Sequence, residues 1–145
     1  MSIVEDFLTI TEEQEIIQAI YTAEKETSGE IRVHIEKGEN PDAFARAQEV
    51  FHFLKMDNTQ ARNGVLIYVA VNHKQFVIYG DQGIDKVVPQ NFWEATKNSM
   101  QTHFKAGNYK QGLIVGVLQA GKELSAHFPW QHGDTDELPN QISKG

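Results

Sequence analysis

Val65-Leu66-Ile67-Tyr68-Val69-Ala70-Val71 is a continuous apolar run. It is too short for a helix and does not alternate, which is how a central strand covered on both faces reads. Asn72-His73-Lys74 is a short turn, and Gln75 to Tyr79, with Phe76, Val77 and Ile78, reads as the antiparallel hairpin partner. Upstream, Ile31, Val33 and Ile35 alternate with Arg32, His34 and Glu36, predicting a strand over 30–36 with one covered face. Between these strands Asn40-Pro41-Asp42 opens a helix in which Phe44, Ala47, Val50, Phe51 and Leu54 recur at helical spacing, to about Lys55. That connection is long enough for a right-handed parallel crossover, so the expected sheet is small and mixed, in an α/β fold.

The flanks are helical. Thr9 and Thr11 precede Glu12 and Glu13, a helix start with acidic groups at the positive end of the dipole. The helix runs to about Glu26, with Ile16, Ile17, Ala19, Ile20 and Ala23 on its buried stripe. Beyond Gly80-Asp81-Gln82-Gly83 the pattern predicts a short helix over 84–88, a longer one over 90–105 and a last one over 109–127. Gly112 and Gly116 let that last helix approach the sheet closely. The expected domain spans 1–128, and 129–145 reads as a flexible acidic tail with little to bury.

The composition narrows the function. With 145 residues, 40% hydrophobic and 23% charged, the chain can bury one core without staples. A net charge of −7 argues against nucleic acid, whose phosphates call for clustered Lys and Arg, and favours cations as company. The absence of cysteine rules out disulfides, thiolate metal sites and a Cys nucleophile. The start, Met1-Ser2-Ile3-Val4-Glu5-Asp6-Phe7, has neither the basic nor the apolar region of a signal peptide, and no run is long enough to span a membrane. A soluble, cytoplasmic monomer with no membrane partner is expected.

Topology then brings loops together. With a parallel crossover and a hairpin, the start of the first strand, the start of the second and the end of the third lie at one sheet edge. That edge gathers Glu30, Asp57, Asn58, Asn63, Asp81 and Asp85, with Gly64, Gly80 and Gly83 freeing nearby carbonyls. These are hard oxygen donors of the kind Ca²⁺ and Mg²⁺ take, so the candidate metal ligands are Glu30, Asp57, Asn63, Asp81 and Asp85. The same residue types also cap helices and build turns, which is the plainer reading of each one alone. If the first strand paired elsewhere, Glu30 would leave the set.

Three motifs in this order carry a resemblance: Arg62-Asn63-Gly64-Val65-Leu66-Ile67-Tyr68-Val69, Val77-Ile78-Tyr79-Gly80-Asp81-Gln82-Gly83-Ile84, and Phe104-Lys105-Ala106-Gly107-Asn108-Tyr109-Lys110-Gln111-Gly112. Together, over roughly residues 11–126, they resemble the TPM domain family. The resemblance implies a three-layer α/β/α sandwich and divalent cation binding. Some plant lumenal members of that family are acid phosphatases, and others act in photosystem repair or receptor modulation. Family members often carry a signal peptide and a membrane anchor, and this sequence shows neither.

Two other functions stand beside cation binding. For phosphate-ester hydrolysis, a bound metal would activate water, Asp81 or Asp85 would serve as base and Arg62 would hold the phosphate. Arg62 beside several carboxylates is more economically an internal ion pair, and no catalytic residue is assigned. Phe92, Trp93, Phe104, Tyr109, Phe128 and Trp130 read mainly as core packing; the third function, a protein-interaction module, would use the end near Trp130 as an exposed anchor for a protein partner. The six histidines are scattered and read as surface or capping residues.

Overall fold

The computed structural model of the chain describes residues 3–130 and 141–145. In chain order its elements are α1 (Ile3–Phe7), α2 (Ile10–Glu24), β1 (Glu30–Glu36), α3 (Ala43–Phe53), β2 (Gly64–Ala70), β3 (Gln75–Gly80), α4 (Gln82–Asp85), α5 (Glu94–Lys105), α6 (Tyr109–Ser125) and β4 (Ser143–Lys144). The sheet order is β3-β2-β1-β4. β1 and β2 run parallel, Glu30 opposite Gly64 and Glu36 opposite Ala70, while β2 and β3 form the antiparallel hairpin. The mixed sheet and the crossover are therefore as the apolar patterning predicted.

Strand alternation divides the core in two. Ile31, Val33, Ile35, Val65, Ile67, Val69 and Ile78 face Ile16 and Ile20 of α2, Met100 of α5 and Leu113 and Val117 of α6 in one cluster. Leu66, Tyr68 and Ala70 face Ala47, Val50 and Phe51 of α3 in the other. Helices thus lie on both faces, giving the α/β/α sandwich. β2 is buried along its whole length, since it pairs on both edges and is covered on both faces.

Several expectations need correction. β1 is not covered on one face only: His34 and Glu36 are buried, because Arg46 of α3 reaches across to Glu36 and Gly145 packs over both. Gly112 and Gly116 do not face the sheet. They face Phe104 and Met100 of α5, so the close approach is between helices. The short helix begins at Gln82, because the Asp81 carboxylate accepts a hydrogen bond from Gln82 N and stands as its cap. α1, too short for periodicity to reveal, sends Val4 into the core. Of the expected tail, residues 131–140 lie outside the described residues. Ile142 packs against the core, and Ser143–Lys144 pairs in parallel with His34 and Ile35 of β1.

The start of α2 is a capping box. Thr9 Oγ1 accepts from Glu12 N at 3.1 Å, and Glu12 Oε1 accepts from Thr9 N at 2.9 Å. We expect Thr9→Ala to lower unfolding free energy by about 1 kcal/mol in urea titrations.

Candidate functional site

The three predicted loop stations meet at the edge formed by the start of β1, the start of β2 and the end of β3. Glu30 N donates to Asn63 O at 3.3 Å, Asp81 N to Gly64 O at 3.0 Å and Gly83 N to Arg62 O at 2.8 Å. Arg62 has a positive φ of 52°, an uncommon conformation for a residue with a side chain. In this turn its carbonyl and its guanidinium both serve the 81–83 loop: Arg62 Nε donates to Asp81 Oδ2 at 3.1 Å.

Glu30, Asn63 and Asp81 are buried here, at 2%, 1% and 4% exposure. Polar groups this deep need partners or ligands. Asn63 Nδ2 donates to Ser28 Oγ at 3.4 Å, while its Oδ1 is buried without a partner among the described residues. Asp85 is exposed in the next turn. Its carboxyl is pushed above the ordinary carboxylate range by desolvation and then by the charge of Asp81. Desolvation, with the charges of Asp85 and Asp81, likewise pushes up the Tyr79 hydroxyl, so the two carboxylates and Tyr79 share one field. Asp57 is turned away: its carboxylate faces His52 Nδ1 at 3.3 Å. Asn58 is exposed in the adjoining turn. Among the described residues, no three His, Cys, Asp or Glu side chains stand together as a ready-made metal cage.

A second polar cluster, at the opposite end of β1, is one that sequence reasoning missed. Glu36 accepts from four donors: Arg46 Nε at 2.8 Å, Arg46 Nη2 at 3.1 Å, Tyr68 OH at 2.6 Å and His34 Nε2 at 2.9 Å. Burial alone would raise this carboxyl, but the hydrogen bonds from Arg46, Tyr68 and His34 outweigh it and hold it down at about 2. Burial and then Glu36 push the Tyr68 hydroxyl up. Desolvation lowers His34 despite its carboxylate neighbour, so the ring is neutral at pH 7. With Nε2–H donating to Glu36, His34 Nδ1 accepts from Ser143 Oγ at 2.9 Å. The signal was there: His34 and Glu36 are two apart on a strand and so share one face.

Ser143, His34 and Glu36 have the connectivity of a nucleophile, base and acid. Here the charge of Glu36 is matched by Arg46, and the three groups tie β4 to the buried face of β1.

Comparison with known proteins agrees with this fold. A family model described as the TPM domain matches residues 3–123. The NMR structure of BA42 protein from the psychrophilic bacterium Bizionia argentinensis is 60% identical, with 100% of each chain covered and a TM-score of 0.93. The solution structure of the N-terminal domain of a protein from P. gingivalis is 20% identical over 88% of this chain and 83% of that one, with a TM-score of 0.67. That of the N-terminal domain of cg2496 protein from Corynebacterium glutamicum is 12% identical over 91% and 81%, with a TM-score of 0.61. These last two share the fold alone. No curated protein matches the chain. Since the family model spans most of its length, the chain belongs to the TPM domain family.

Proposed function

We propose that this chain is a divalent-cation-binding TPM domain, taking Ca²⁺ or Mg²⁺ at the edge that carries Glu30, Asn63, Asp81 and Asp85, and working as a cytoplasmic monomer. The observation that supports it is the buried Asn63 Oδ1, left without a partner beside two buried carboxylates. Hard oxygens of this kind suit either ion, with water completing the coordination of Mg²⁺ and further protein oxygens that of Ca²⁺. Asp57 belongs to the proposed site only if its carboxylate leaves His52.

The Arg62 guanidinium now neutralises Asp81, so a cation must displace it. Arg62 is 44% exposed in its side chain and free to turn outward. We therefore expect Arg62→Gln to raise cation affinity several-fold and Asp81→Asn to lower it at least tenfold. The measurement is an NMR titration of the metal-free protein with Ca²⁺ and with Mg²⁺. Saturable shifts confined to residues near 57–64 and 80–85 are expected. Their absence in both titrations, or equal affinity in all three proteins, would overturn the assignment. Phosphatase chemistry is less well supported, because the sequence carries no phosphate-cradling P-loop and Arg62 is the one group assigned to hold a phosphate.

No helix among the described residues is long and apolar enough to cross a membrane.

A further inference from the structure

Among the described residues, the outer edge of β1 is paired along two residues, by β4. That short strand is held by more than backbone pairing, and each of its positions is read by different chemistry. Gly145 N donates to Ile35 O at 3.0 Å, continuing the ladder. The side chains then alternate between faces, as a strand requires. Ile142 packs against the main core on the α2 side. Ser143 Oγ meets His34 Nδ1 on the α3 side. Lys144 turns back to the α2 side, with Nζ 3.2 Å from Glu5 and 3.0 Å from Glu13. Gly145 lies over His34 and Glu36, where an added Cβ would come within 2.9 Å of Glu36 Oε1 and 3.0 Å of His34 Nε2.

We propose that the outer edge of β1 is a peptide-binding groove for an extended strand of the pattern apolar, hydroxyl, basic, glycine, and that residues 142–145 fill it in cis. The partner it fits is a protein presenting such a segment for parallel strand addition. Each position has a physical selector. His34 donates to Glu36 through Nε2, so its Nδ1 takes a donor, which admits Ser or Thr and rejects Asp or Glu. Glu5 and Glu13 select Lys or Arg. The glycine is required because Glu36 and His34 are locked by hydrogen bonds and cannot recede. Beyond Gly145 the groove opens into a cavity of about 500 Å³ lined by residues that include Glu36, Lys37, Asn40 and Arg46, so an incoming strand can continue past the glycine.

Two paired residues against seven in the β1–β2 ladder make β4 the weakest rung of the sheet. Tethering keeps the groove filled, since a linked segment has an effective concentration in the millimolar range. A competing partner must therefore act when the cis strand is weakened.

The test uses the 145-residue chain with Lys144→Glu, which sets a negative charge against Glu5 and Glu13. It is titrated with an acetylated pentapeptide of residues 141–145, and with the same peptide carrying Lys→Glu. We expect saturable NMR shifts at His34, Ile35 and Glu36 with the first peptide, at least tenfold weaker binding of the second, and at least tenfold weaker binding of the first to the wild-type protein. No saturable shift in the folded variant, or equal binding of both peptides, would overturn the proposal. Hydrogen exchange in the wild type guards against a variant that fails to fold. Protection at the Gly145 amide should lie at least 100-fold below that of the β2 amides. Equal protection would make β4 an integral part of the sheet and overturn the groove.

Discussion

Replacing Glu36 by alanine is expected to destabilise the protein by about 3–5 kcal/mol, the usual cost of removing one partner from a buried charge pair. Arg46, His34 and Tyr68 all donate to this carboxylate, and alanine leaves their four donor groups without an acceptor. Glu36→Gln keeps the shape but has one acceptor oxygen for four donor groups, so it should recover only part of the loss. Urea unfolding of the two variants against wild type measures both values.

Acid should produce the same loss in the wild type. The Glu36 carboxyl is held at about 2 against an ordinary 4.5, a folded value below the unfolded one. Its contribution is therefore complete above about pH 4.5 and is lost as pH falls toward 2, amounting to about 3 kcal/mol. His34, lowered by burial, acts in the same direction: its neutral form is the one folded, so stability also begins to fall below its ordinary value of 6.5. A curve of unfolding free energy against pH should decline in both windows, and Glu36→Gln should abolish the lower one.

The second large effect is expected at Gly83. A Cβ there would lie 2.5 Å from the Arg62 carbonyl oxygen and closer still to that of Ala61. Both are backbone atoms in a turn held by the Gly83 N to Arg62 O hydrogen bond, so neither can move alone. Gly83→Ala should cost about 3 kcal/mol, at the upper end of overpacking penalties. It should also shift the 81–83 loop, carry Asp81 away from Glu30 and Asn63, and so weaken the cation response in the NMR titration. Gly80→Ala is the control, since its Cβ would meet Ile84 at an ordinary 3.5 Å. Its effect should stay within about 0.5 kcal/mol. Thermal or urea unfolding of the pair separates a specific backbone clash from a general intolerance of this loop.

The legible parts of the candidate site were those that follow from strand direction. Once β1 and β2 are parallel and β3 turns back, Glu30, Asn63 and Asp81 must share an edge, and they do. Side-chain direction was not legible. Asp57 sits in the right loop yet faces His52, because the helix that ends at Phe53 places that ring within reach. Arg62 was readable as an internal ion pair, but its partner became known only when the turn brought Asp81 within 3.1 Å.

By itself the sequence determined the local elements: the apolar run of β2, the alternation of β1, the acidic helix start after Thr9 and Thr11 and the crossover that orders the strands. Each depends on residues close in the chain, where periodicity and caps act directly. Only the tertiary structure decided which polar residues are buried. Glu36 is joined to Arg46, Tyr68 and His34 across sequence separations of 10, 32 and 2, and Ser143 meets His34 across 109. Such contacts form only after the sheet assembles, and the low dielectric of the finished core is what turns scattered polar residues into one strong network.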